Sequence, residues 1–449
     1  MHLLGTVTPE PGVRNPCGHF APRYSRIMRV LLAWVLGSLM VCGAFGQAAL
    51  RPKDVREIGR GGASAVPKLR ELLSNPSIEV RVEVVRQLID IGPPHSLDPL
   101  IQASRDGDAV IQMAAADGLV NFYLPGYVKR GAGGTLERLE TSIKSKFTDT
   151  NDQAIDPYIA VRPDVIEVLA VQVRSGYLDV RANAARALGV LRGKAAVPDL
   201  VAALRSKDSG LMYESLVALE KIGDPSAGPA AEFLLHDFDP KVQNAAIEMV
   251  GLLRDNGAAA ALADIVDHTD NVKVKRAALT SLAMLPNAAY RGIFRQNLHD
   301  RDEKLRGAAA EGLGRLRNTR DLPELQQAWK DEGRPGPRLS LAFAQVMLGA
   351  TELSQFSPLQ FLINNLNVSA YSGAALPLLV ELARDRPVRT ALYGALATAT
   401  KDEKIGLARV LGASGDKESM ERLQKLVEDP DPAVGQAAVA ATRTIQARM

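Results

Sequence analysis

Three histidines recur at a regular spacing: His236 in HDFDPKV (236–242), His268 in DHTDNVKV (267–274) and His299 in HDRDEKL (299–305). An imidazole beside a carboxylate is raw material for a metal site, and imidazole also titrates near neutral pH. Two ligands on one zinc each lie ~2 Å from it, whereas stacked helices stand ~8–10 Å apart. Equivalent rungs of a helical stack therefore do not converge on one ion. The ladder reads first as the product of a repeated unit, with a cation at the C-terminal end of a helix facing its negative dipole. A weak metal or anion site, or a pH-sensitive binding edge, is the alternative.

Other chemistry finds little support. The only cysteines, Cys17 and Cys42, both precede Gln47. No HExxH, P-loop or GxSxG pattern is present. GAGG (131–134) follows Lys129-Arg130 and leads into a polar helix-like stretch, so it reads as a flexible loop. The expectation is a non-enzymatic protein without a cofactor.

The start of the chain is a separate matter. Arg29 followed by the apolar run Val30–Phe45 and then Gly46 reads as a secretory signal cut near Gly46–Gln47. The run of 16 is shorter than the ~17–25 residues that span a bilayer, so a membrane link arises only through an uncleaved signal. Residues 1–46 carry Arg14, Arg23, Arg26, Arg29 and Glu10, a net +3. The whole chain is also +3, which leaves the remainder formally neutral and lacking the basic excess of a nucleic-acid binder. The expected location is periplasmic or extracellular. A hydrophobic fraction of 46% with only 5% aromatics points to a folded chain of closely packed helices.

Those helices repeat. VRANAARALGVLRG (180–193), LMYESLVALEKIG (211–223), VQNAAIEMVGLLR (242–254), VKRAALTSLAMLP (274–286) and LRGAAAEGLGRLR (305–317) begin 31, 31, 32 and 31 residues apart. A fixed period of this size signals a solenoid. Apolar residues fall at offsets 0, 4, 8 and 11, as in Val180, Ala184, Leu188 and Leu191, which is one helical face. A further helical stretch precedes each block, as in AAVPDLVAALRS (195–206), so neighbouring pairs must stack to bury their stripes. The fold expected is all-α, a right-handed α-solenoid of stacked antiparallel helix pairs. At offset −3 stand Asp208, Asp239, Asn271, Asp302, Asp385 and Asp431, the residue types that cap helix N-termini.

The pattern resembles HEAT repeats, in particular the short bacterial type found in phycobilin lyases. AVPKLRELLSNPSIEVRVEVVRQLIDIG (65–92), AVPDLVAALRS (196–206) and the 180–191 block carry the resemblance. It implies fold more than function, because such arrays serve many functions. Deoxyhypusine hydroxylase is similar and binds two irons through His-Glu pairs. The matching positions here hold Ala182-Asn183, Tyr213-Glu214, Asn244-Ala245, Arg276-Ala277 and Gly307-Ala308, and the chain has no His-Glu dipeptide. HEAT-like glycosylases grip DNA with a basic face, whereas offset +6 here reads Arg186, Val217, Glu248, Thr280 and Glu311, mixed in sign.

The expected organisation is an N-terminal extension and signal (1–46), repeats (47–123), an irregular insertion (124–162), central repeats (163–350), an irregular segment (351–373) and C-terminal repeats (374–449). The insertion and the residue before it gather Tyr123, Tyr127, Lys129, Arg130 and Tyr158, which read either as partner contacts or as packing onto the array. The leading functional expectation is a protein-binding scaffold of the cell envelope or exterior. An accessory or chaperone-like factor of the lyase-associated type is the alternative, followed by a weak metal-binding protein.

Overall fold

The N-terminal ends of the helices show how the sequence sets their starts. The computed structural model describes residues 50–128 and 153–449. The expected signal segment, as well as Lys129 and Arg130, lies outside the described residues. Asp208, Asp239, Asn271, Asp302 and Asp431 each stand at an N-cap and accept a backbone N–H bond from the first turn. Asp108 and Ser77 do the same two and three units before Asp208. Asp385 also stands at an N-cap but makes no such bond; its carboxylate accepts instead from Arg317, at 2.7 Å. A short polar side chain there satisfies N–H groups that have no helical partner.

Among the described residues every regular element is helical, and no helix is long and apolar enough to cross a membrane. Residues Arg51–Met449 form one unit, an α-solenoid. The second helix of each pair packs on the next. This stack runs through Ile78–Ile91, Ala109–Tyr123, Leu178–Val190, Ser209–Ile222, Pro240–Leu252, Val272–Ala283, Glu303–Arg315 and Pro335–Met347. Helix 109–123 packs directly on 178–190, so the insertion between them leaves the stack unbroken. The periodic anchors Val80, Leu88, Val180, Leu188, Val242 and Leu313 are all buried.

Close approach is set by glycine at offset +9. A Cβ on Gly189 would sit 2.7 Å from the Cα of Ala218, and one on Gly251 would sit 2.7 Å from that of Ser281. The side chain is absent because the neighbouring backbone occupies its place.

The sequence reading overlooked offset +1, which ties the two layers together. Arg81 donates to the Asn75 carbonyl at 2.8 Å, Gln243 to Leu235 at 3.0 Å and Arg306 to Asp300 at 2.9 Å. Each reaches an unpaired carbonyl at the end of its own first helix. Arg81 and Arg306 also pair at 2.7 Å with Asp106 and Glu332 of the following unit. Offset +12 is the left-handed exit of the second helix. Gly92 and Gly223 occupy it at φ 69° and 70°, and Arg192, Arg254 and Arg317 at φ 50°, 56° and 53°. A non-glycine residue there is strained, and each arginine reaches out from it: Arg192 to the Lys221 carbonyl, Arg254 to Glu381 and Arg317 to Asp385.

Two segments depart from the expected pattern. The first helix of one unit is a 3₁₀ run, Pro225–Leu234, because Pro225 and Pro229 remove backbone donors. The expected irregular segment 351–373 holds a helix, Pro358–Asn364, and the start of Ser369–Leu382. That second helix packs against both 335–347 and Lys401–Ser414, in the place expected for a second helix near Val388. Arg386–Ala395 instead lies beside Lys417–Val427, tied by the Tyr393–Ser419 hydroxyl contact at 2.7 Å and by Arg389–Asp416 at 2.8 Å.

Candidate functional site

Stacking the second helices leaves their remaining face free. Between helices 109–123, 178–190, 209–222 and 240–252 this face holds a groove with a hollow of about 540 Å³. Its floor is small and apolar where Ala182 and Met113 lie. Polar groups converge on it from helix starts, Asp179, Asp208, Asp239 and Lys241, and from the second turns, Asn183 and Glu214.

The central feature is an ion pair between neighbouring units. Arg186 at offset +6 meets Glu214 at offset +3 of the next helix, Nη2 to Oε1 at 2.5 Å and Nε to Oε2 at 3.1 Å. The two parallel bonds fix the register of the floor. Burial works against the Arg186 charge, and the Glu214 carboxylate more than offsets it, so the guanidinium is held firmly protonated. Asp117 and the Tyr127 hydroxyl add to this.

Outside the groove two carboxyls on adjacent second helices influence each other. Burial, helped by the charge of Glu248, pushes Glu220 up to about 7. Burial also raises Glu248. Glu248 keeps an exposed surface while neighbouring protein atoms crowd its carboxyl, which is the desolvation that raises it. The groove carries an acidic excess: Asp179, Asp208 and Asp239 line it against Lys241, beside the neutralised Arg186–Glu214 pair. Asp208 and Asp239 each engage Oδ1 in a cap.

The residues singled out from sequence separate into three groups. His236, His268 and His299 are all exposed. His268 Nδ1 lies 3.0 Å from the Asp264 carbonyl one turn back, the helix-end position expected, and His299 Nε2 lies 3.7 Å from Glu324. Among the described residues no three His, Cys, Asp or Glu side chains gather as a metal ligand set. Tyr127 is 8% exposed, and its ring packs into the array rather than facing a partner. The Tyr123 hydroxyl accepts from the Arg162 backbone N–H at 3.1 Å, and its ring meets Phe122 edge to face. Both tyrosines therefore hold the ends of the insertion to the array. Tyr158 donates to Asp156 at 2.8 Å, which raises its pKa, and it faces Arg443 and Pro432 of the last helix across a second hollow.

The sequence reading missed the Arg186–Glu214 pair and Phe238. The first was visible only as a mixed-sign column at offset +6. The second interrupts HDFDPKV with a large apolar side chain that the structure leaves fully exposed.

Comparison with known proteins matches HEAT repeats over residues 50–129, 166–251 and 259–344. The chain is similar to phycocyanobilin lyase subunit alpha of a Picosynechococcus species, at 30% identity over 188 residues, 38% of this chain and 67% of that protein. It is also similar to the bilin biosynthesis protein PecE of Mastigocladus laminosus, at 34% over 147 residues, 32% of this chain and 54% of that one. Among solved structures, the complex of CpcE and CpcF of phycocyanin lyase from a Nostoc species covers 57% of this chain and 96% of that one, at 18% identity and TM-score 0.33. The YibA protein of E. coli covers 66% of this chain and 94% of that one, at 15% identity and TM-score 0.40.

Proposed function

This chain belongs to the HEAT-repeat family as a phycobilin-lyase-like member, and from that premise we propose that it is an accessory factor that holds a protein partner in the groove of its second helices. The observation that carries this reading is the likeness to two bilin-lyase subunits. The groove supports it, being wide, preformed and polar at its rim, as a protein-binding surface requires. The comparisons favour this role over a free-standing envelope scaffold. Subunits of a lyase work within a catalytic assembly, so the role proposed here is to position a partner for chemistry; no bond-making step is assigned to this chain's residues. The signal expected before Gln47 adds the proposal that the factor acts in the periplasm or outside the cell.

Co-expression tests the central reading. The full chain, tagged at its C-terminus, is produced with a phycocyanin subunit and phycocyanobilin. Co-purification and covalent chromophore attachment are measured with and without Arg186→Glu. The reading expects a complex that forms with the native chain and weakens at least tenfold in the variant, the scale of a lost central contact. No co-purification overturns the lyase-associated role. Fractionation of the producing cells, with the N-terminus of the recovered chain sequenced, tests export: a chain beginning at Met1 in the cytoplasm overturns it.

A further inference from the structure

The chemistry of that partner can be read from one edge of the groove. The loops from first to second helix line this edge, and in one of them Phe238 stands fully exposed. It is not a loose side chain on a loose loop. Asp237 accepts from the Asp239 backbone N–H at 2.8 Å, and Asp239 accepts from Lys241 at 2.9 Å. Two consecutive turns closed by side chains hold the segment on either side of the ring. At the same register Lys207, Asp270 and Arg301 stand in the neighbouring units, so the repeat does not require an aromatic there. Two units earlier Tyr177 and Leu178 are half exposed on the same edge, and Leu178 also lines the groove.

A preformed aromatic surrounded by water gains from burial without a large ordering cost. Beside this apolar ridge lies the groove, where Asp179, Asp208 and Asp239 outnumber the single lysine Lys241, and Asp179 forms no ion pair among the described residues. We propose that this edge docks a basic amphipathic segment of the partner protein, with its apolar side on Phe238 and Leu178 and its lysines or arginines toward Asp179 and Asp239. The proposal rests on the groove being the partner-binding face.

A defined probe tests it with the full chain. A fluorescent Leu/Lys helix of about five turns is titrated by anisotropy beside its Leu/Glu counterpart and a scrambled Leu/Lys peptide. The Leu/Lys helix is expected to bind, and the other two at least tenfold more weakly. Phe238→Ala should weaken binding about tenfold at both about 50 mM and about 300 mM salt. Asp179→Asn should weaken it mainly at the lower salt. Phe356→Ala removes another exposed ring on a distant loop and should change nothing. Equal binding by Phe238→Ala and the native chain overturns the proposal, as does equal binding of the acidic helix. Self-association of the native chain that is lost in Phe238→Ala would give the ridge to a second copy and also overturn it. If a partner co-purifies in the preceding experiment while these titrations fail, only the partner's chemistry is wrong. If nothing co-purifies, the groove reading itself falls.

Discussion

Glu220 reports on how far the packing of successive second helices desolvates a carboxyl. Its carboxyl rises from an ordinary 4.5 to about 7, first because burial penalises its charge and then because Glu248 repels it. A group that holds its proton more tightly when folded loses stability as pH climbs from its unfolded to its folded value. Below about pH 4.5 Glu220 is neutral in both states and costs nothing. Above about pH 7 it is charged in both, and the full penalty applies. The rise of about 2.5 pH units, at about 1.36 kcal/mol each, sets an upper figure of about 3 kcal/mol. Glu220 is only partly buried, so water screens part of this, leaving roughly 1–2 kcal/mol. Glu220→Gln should therefore stabilise the protein by roughly that amount at pH 8 and leave it unchanged near pH 4.5. Urea unfolding followed by circular dichroism at both pH values measures the difference. Glu248→Gln should recover part of the same gain by removing the repelling charge. An equal effect of Glu220→Gln at the two pH values would show that the carboxyl is not desolvated and would refute this reasoning.

Asp239→Ala removes a side-chain cap and should cost about 0.5–2 kcal/mol in thermal unfolding. Asp385→Ala, at the same register without a cap bond, should cost less, and a larger loss there would refute the distinction. Arg306→Leu strips a nearly buried Glu332 of its partner as well as two carbonyls of their donor, and should destabilise by about 3–5 kcal/mol in chemical denaturation. Gly251→Ala pushes a methyl group into the Ser281 backbone and should cost about 1–3 kcal/mol. Gly292→Ala, in a helix with open space around it, should instead stabilise by about 0.4–1 kcal/mol, as read from melting temperatures. Tyr127→Ala should lower the melting temperature because its ring is buried, and unchanged stability would return it to the partner contacts.

The sequence by itself settled the architecture. A period of 31–32 residues with apolar side chains at four helical offsets admits only stacked helices, because neither helix can bury its stripe alone. It also marked the helix starts, since Asp239 or Asn271 three residues before an anchor has a local reason to be there. The N-terminal signal is likewise a sequence expectation, one that the described residues do not reach. What the sequence left open depends on contacts between units. Arg186 and Glu214 lie 28 residues apart, and only the rotation of one unit against the next brings them into a bidentate pair. Glu220 and Glu248 read as ordinary surface charges until helix packing sets them near each other and partly desolvates both. Tyr127 counted equally as contact or core because side-chain type does not reveal which side of a helix layer the returning chain will cover. Phe238 is the converse. An aromatic in a polar loop predicts either a folded-in anchor or an exposed one, and only the side-chain-bonded turns around it decide that it faces water. Periodic burial is a one-dimensional property and can be read along a chain. The sign, depth and edge of a groove arise from how successive units are set against one another, so they belong to the tertiary structure.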